Sequence, residues 1–289
     1  MPEIKFTFFG TDTFSILVLN ELKSAGFLPT LIVTMPDKPK GRKMILTPPE
    51  VKVWAEENGV KFIQPKSLRE DKNPGIENEV RSFGADDLFI VASYGKIIPQ
   101  NILDIPKHQT LNVHPSLLPK LRGPSPIVSA ILTENETGVT IMRLDAEMDH
   151  GPILAQKKIE IPEWPPYAET LEKILGQEGG KMLAQIIPDW IAGKIPGIEQ
   201  NHSQATVCKK IEKTDGEINL SDPADLNLRK IRSFHAWPTA YYFQKHKDKN
   251  LRVIIKKAHM ENGALILDRV VPEGKKEMDY SDFQKGIKN

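Results

Sequence analysis

A chain of 289 residues, 39% hydrophobic and 27% charged, has room for one large domain or two unequal ones, and its apolar content excludes a disordered chain. One cysteine, Cys208, excludes an intrachain disulfide framework and a cysteine-rich zinc site, and the 7 histidines are scattered without ligand spacing, so no metal is expected. The net charge of +1 hides an asymmetry, with 22 basic and 26 acidic side chains in residues 1–203 against 17 and 12 in residues 204–289; a basic carboxy-terminal part is consistent with docking a polyanion, but charge alone favours an ordinary solvated surface.

Ile4–Phe9 reads as a short buried strand stopped by Gly10. No cleavable apolar leader precedes it, and no run approaches the ~20 apolar residues of a membrane span, so a cytoplasmic chain is expected. Thr11 and Asp12 supply helix-starting side chains, and Phe14, Leu17, Val18 and Leu22 recur at helical spacing. With a strand at Leu31–Thr34, this β-α-β opening predicts an α/β fold: a Rossmann-like, mostly parallel sheet with helices on both faces. Gly10 stands without the second and third glycines that a dinucleotide pyrophosphate needs, which argues against NAD or FAD.

Met35–Pro49 reads as a proline-rich loop with a basic run, Lys38, Lys40, Arg42 and Lys43. A helix at Val51–Asn58, a strand near Val60–Ile63, a helix at Ile76–Phe83 and a buried strand at Asp87–Ala92 follow. Ser125–Leu132 reads as helical, Gly138–Leu144 as a strand, and Ile153–Ile161 as its antiparallel neighbour. Ala168–Ile191 keeps helical periodicity despite Gly176, Gly179 and Gly180. The rhythm then changes. Residues 192–204, with Gly193, Pro196 and Gly197, read as a linker. Beyond it lie a helix at Ala224–Ser233 and short β runs at Thr239–Phe243, Leu251–Lys257 and Ala264–Val270, which predict a small OB-like β-barrel.

The chemistry concentrates at the end of a strand. In Leu111-Asn112-Val113-His114, apolar and polar residues alternate, so Asn112 and His114 leave the same face, and a Pro/Gly-punctuated loop follows at once. An amide donor beside an imidazole suits an oxygen that becomes negative in a transition state. Further on, Asp145, Glu147 and Asp149 stand close to Gly151, and Asp149 is placed to orient His114 and accept a proton. By spacing alone, Asn-x-His also fits a capped turn and the acid cluster a solvated one.

Asn112-Val113-His114, Ser116-Leu117-Leu118-Pro119, Arg122-Gly123, Gly138-Val139-Thr140-Ile141-Met142 and Asp149 together resemble the 10-formyltetrahydrofolate-dependent formyltransferase family. The likeness begins at Phe8-Phe9-Gly10-Thr11, passes Pro36–Arg42 and Tyr94-Gly95, and reaches Ile231-Arg232-Ser233-Phe234 and Trp237-Pro238, so it covers nearly the whole chain. Pro115 stands where glycine is common in the family and His150 where threonine is, and the carboxy-terminal end looks shortened.

The resemblance implies formyl transfer from 10-formyltetrahydrofolate without a covalent enzyme intermediate. Asn112, His114 and Asp149 would be catalytic. Ser116, Leu117, Leu118 and Pro119, with Tyr94, Gly95 and Ile97, would line the folate site. Lys38, Lys40, Arg42 and Lys43 would grip the acceptor end of initiator methionyl-tRNA. The implied organisation is a catalytic domain over residues 1–191, a linker over 192–204 and an OB-like tRNA-binding domain over 205–289, in a monomer. An amino-sugar nucleotide or other small amine as acceptor, or water in a hydrolase, stays open because the Asn-x-His and Asp core serves these as well.

Overall fold

The computed structural model describes residues 4–41, 43–84, 87–246 and 249–288. In chain order these form β1 (Phe6–Gly10), α1 (Thr13–Ser24), β2 (Leu31–Val33), β3 (Lys38–Lys40), β4 (Ile45–Thr47), α2 (Glu50–Glu57), β5 (Lys61–Ile63), α3 (Ile76–Arg81) and β6 (Leu88–Ala92). There follow α4 (Gln100–Leu103), β7 (Thr110–His114), α5 (Pro126–Thr133), β8 (Thr137–Arg143), β9 (Ile153–Ile159) and α6 (Ala168–Ile191). The chain ends with α7 (Ala224–Ser233), β10 (Tyr241–His246), β11 (Lys249–Glu261), β12 (Ala264–Pro272), β13 (Met278–Asp279) and α8 (Tyr280–Lys288).

The chain divides into two compact units. The first comprises residues through Pro124, Thr137–Ile159 and Glu172–Val207; the second comprises Ser125–Glu136, Glu160–Leu171 and the chain from Cys208 on. Two segments well before residue 192, one of them carrying α5, therefore group with the carboxy-terminal residues.

In the first unit seven strands form one sheet in the order β5-β2-β1-β6-β7-β8-β9. The first five run parallel, while β8 and β9 are antiparallel, as the sequence predicts for that pair. Helices cover both faces. Phe9, Val33 and Val91 pack with Ile76 and Val80 of α3 and Ile102 and Leu103 of α4. On the opposite face the glycines of α6 permit close approach: a Cβ on Gly176 would lie 2.8 Å from Leu17, and one on Gly179 would lie 2.6 Å from Val113. These glycines do not interrupt the helix; they let it touch the sheet and α1 without side chains between. Asp12 caps α1, accepting from the Ser15 N–H at 3.3 Å.

The Met35–Pro49 stretch, read as a loop, contains an antiparallel hairpin in which Lys38 pairs Thr47 and Lys40 pairs Ile45. Its proline and short strands erased the alternation that marks a hairpin.

The second unit holds the expected small β domain as a four-stranded antiparallel sheet, β10-β11-β12-β13. Its core gathers Ile231 and Phe234 at α7, Tyr242, Val253, Ile255, Leu267 and Val270 from the strands, and Phe283 from α8. Cys208 is buried and accepts from the Ser125 N–H at 3.3 Å, a packed position. Among the described residues no helix is long and apolar enough to cross a membrane, and no His/Cys/Asp/Glu cluster could hold a metal ion.

Candidate active site

β7 has β6 as a parallel neighbour and β8 as an antiparallel one, and register places Val91, Asn112 and Met142 side by side. Val113 meets α6, so Asn112 and His114 project to the other face, in the row of Phe9 and Val91. Both polar side chains are buried. Asn112 is 7% exposed, and its amide has no hydrogen-bond partner among the described residues. A nearly buried amide that the protein itself leaves unpaired is a donor held in reserve for a ligand.

The His114 ring is fixed at one nitrogen and faces a carboxylate with the other. Nε2 lies 2.9 Å from the Leu121 carbonyl, which can only accept, so Nε2 carries the hydrogen. In the neutral ring Nδ1 then presents a lone pair, and it lies 3.6 Å from Asp149 Oδ1. That gap is too long for a direct hydrogen bond, so two acceptors face one small space. Asp149 is anchored through its other oxygen, which accepts from the Gly123 N–H at 2.8 Å, while its backbone takes φ +52°. The structure thus brings His114 and Asp149 together across 35 residues of sequence, and Asn112 stands two positions from His114 on the same face.

The loop after β7 is tied down from beneath. Thr140 Oγ1 donates to the Ser116 carbonyl at 2.7 Å and accepts from the Leu118 N–H at 3.2 Å and from Gln156 Nε2 at 2.8 Å. Gln156 also donates to the Leu118 carbonyl at 2.8 Å, and the Ser116 hydroxyl donates to Lys120 O at 2.7 Å. Ser116 and Leu118 are buried, and Leu117 and Pro119 are half-buried, so this run offers a fixed backbone more than free side chains.

The other sequence candidates separate. Tyr94 is buried edge-on to Phe9, ring centroids 5.5 Å apart, with an unpartnered hydroxyl whose pKa burial pushes well above the usual phenol range. The resemblance implies Tyr94 in the folate lining; its ring belongs to the core and its hydroxyl is sealed in. Gly95, at φ +80°, is exposed, and Ile97 is 81% exposed beside it. Lys38 and Lys40 stand exposed on β3 and Lys43 on the turn of the hairpin, next to exposed Met44, Ile45 and Leu46. Arg42 lies outside the described residues.

At the carboxyl ends of β1 and β6, where the strand order reverses, Ser93 donates to Asp12, and the Thr11 hydroxyl donates to the Tyr94 carbonyl at 2.9 Å. Desolvation raises the Asp12 pKa, an effect that bonds from Ser93 and Ser15 partly oppose.

Sequence reasoning missed the residues that hold the site. Thr140 enters the sequence reading only as part of the Gly138–Met142 run and with no role, Gln156 looks like an ordinary strand residue, and Gln200 falls in the stretch read as a linker. Their partners lie 16 to 78 residues away, so no local pattern signals them.

The family described as "Formyl transferase" matches residues 4–187. The methionyl-tRNA formyltransferase of Chloroflexus aggregans is 42% identical, aligned over 83% of this chain and 76% of that protein. The methionyl-tRNA formyltransferase of Listeria innocua is 36% identical over 98% of this chain and 95% of its own. Among solved structures, the N-formyltransferase of Helicobacter canadensis, in complex with folinic acid and dTDP-3-aminofucose, superposes with a TM-score of 0.60 at 18% identity, covering 87% of this chain and 95% of that one. That last likeness is one of fold.

Proposed function

The chain belongs to the formyl transferase family, and from that premise we propose that it transfers the formyl group of 10-formyltetrahydrofolate to the α-amino group of initiator methionyl-tRNA. Its relatives across nearly the whole length are methionyl-tRNA formyltransferases, which supports tRNA as the acceptor. The observation that carries the chemistry is the unpaired amide of Asn112 beside the facing acceptors of His114 and Asp149.

The folate donor supplies an activated formyl carbon, and Asn112 is a buried donor free to meet the formyl oxygen. As the amine attacks, that oxygen gains negative charge and Asn112 Nδ2 holds it. His114 Nδ1, with its lone pair turned to the site, takes the proton that the amine loses. The resulting imidazolium is stabilised by Asp149 Oδ1 and then returns the proton to the departing folate nitrogen. Formyl group and proton are both accounted for, and no nucleophile on the protein is needed.

In this reading Ser116–Pro119, Gly95 and Ile97 border the folate, with Tyr94 acting through its backbone. Lys38, Lys40, Arg42 and Lys43 contact the tRNA backbone near its acceptor end. The catalytic domain is residues 1–191 and the tRNA-binding domain 205–289, in a cytoplasmic monomer. A nucleotide-linked amino sugar is the second reading, favoured by the fold shared with the Helicobacter canadensis protein; full-length identity to tRNA enzymes outweighs it.

Asp149→Asn tests the assignment. Turnover should collapse while binding of methionyl-tRNA persists; equal loss of both would count against a catalytic carboxylate.

A further inference from the structure

Residues 198–207 lie against both loops of the site. Ile198 exchanges two backbone hydrogen bonds with Ile153, each 2.8 Å. Further along, the Arg122 N–H donates to Thr206 O at 2.9 Å, the Leu121 N–H to Thr206 Oγ1 at 2.9 Å, and the Thr206 N–H to Pro119 O at 3.3 Å. The segment is thereby fastened to the strand after Asp149 at one end and to the loop after His114 at the other.

Between these fastenings Gln200 turns inward and is buried. Its Nε2 donates to the carbonyls of Asp149 at 3.0 Å and Gly151 at 2.8 Å. Its Oε1 accepts from Arg122 Nε at 3.1 Å and Nη2 at 2.6 Å. The amide can point only one way, since a flip would set its oxygen against two carbonyls and its NH2 against a guanidinium that only donates. Arg122 is held in turn by His202, whose Nδ1 lies 2.9 Å from Nη2 and whose ring stacks on His150 at 4.1 Å.

Asp149 needs such support. At φ +52° it occupies the left-handed region, which a non-glycine residue keeps only when its surroundings impose it. The Gly123 N–H fixes its carboxylate and Gln200 fixes its carbonyl.

We propose that Gln200, backed by Arg122, is a positioning residue for formyl transfer: it fixes the Asp149–Gly151 turn so that Asp149 faces His114. This rests on the catalytic reading of Asp149 given above. The stretch that looks like a linker thus completes the site, and Gln200 acts through Asp149.

Gln200→Met keeps the bulk and removes all four hydrogen bonds. It should lower kcat about 10- to 100-fold, the scale of an ångström of misplacement, with KM for donor and tRNA within about twofold of wild type. Placed in the Asp149→Asn background it should lower kcat no further, because its action passes through Asp149. An unchanged kcat, or the same fold-loss with Asp149 already replaced, would overturn the proposal. Full activity of Asp149→Asn alone would instead overturn the catalytic reading beneath it. Should the Met variant fail to fold, Gln200→Asn, which withdraws the amide by one methylene, is judged by the same two criteria.

Discussion

Asn112 and His114 leave one strand on one face, yet the protein treats them differently. His114 has both nitrogens engaged or faced by acceptors, whereas the Asn112 amide is left without a partner. Asn112→Ala should therefore leave the fold intact and lower kcat about 100- to 1000-fold, the usual cost of one donor to a developing oxyanion; steady-state kinetics with saturating substrates measures it. Tyr94 is the opposite case, a buried hydroxyl with nothing to bond. Tyr94→Phe should raise stability by up to about 1 kcal/mol in urea unfolding and leave the donor KM unchanged, whereas a raised KM would place the hydroxyl in the folate site. The alternation around Asn112 was legible because a strand writes its faces at period two. Asp149 stood out among three nearby acids by its place beside His150-Gly151, but the Gly123 N–H that anchors it is distant and no spacing signals it. Gln200 was invisible for the same reason: glycine and proline around it signal a connection and say nothing of an inward side chain.

At the scale of elements, α6 and β7 determine how firmly the site is held. Gly179 lies where any side chain would press on Val113, the residue between Asn112 and His114. Gly179→Ala should destabilise the protein by about 1–3 kcal/mol despite alanine's better helix propensity, and activity should fall with it. Thermal unfolding and kcat on one preparation check both parts; a stability gain would mean that the helix yields freely. Glu178, one residue earlier, joins α6 to β9 through Lys157 at 2.8 Å and also bonds Lys181 at 3.1 Å, and these two lysines hold its carboxyl below the usual range. A lowered carboxylate pKa stabilises the fold fully above the ordinary glutamate value of 4.5 and ceases to do so as pH falls through the lower folded value. Glu178→Gln should therefore cost stability at neutral pH and shrink the loss seen on acidification below about 4.5, read from urea midpoints across pH. The α6 periodicity was plain in sequence, but its glycines looked like interruptions because only the packed neighbour explains them. The β3–β4 hairpin stayed hidden because Lys38-Pro39-Lys40 carries none of the alternation of a half-buried strand.

For the whole molecule, the mostly parallel sheet and the small antiparallel one were both foreseeable from the order of β and α periodicities and the change of rhythm after residue 204. The sorting of 125–136 and 160–171 with the carboxy-terminal residues was not, since compact units are set by contacts between distant segments. The acidic amino-terminal part and basic carboxy-terminal part suit a protein that handles a small folate and a large polyanion together. The most direct measurement is transfer of labelled formyl from 10-formyltetrahydrofolate to charged initiator methionyl-tRNA, beside uncharged tRNA and a nucleotide-linked amino sugar. Label on methionyl-tRNA alone is the predicted result. Label on the sugar, or free formate without an acceptor, would contradict it.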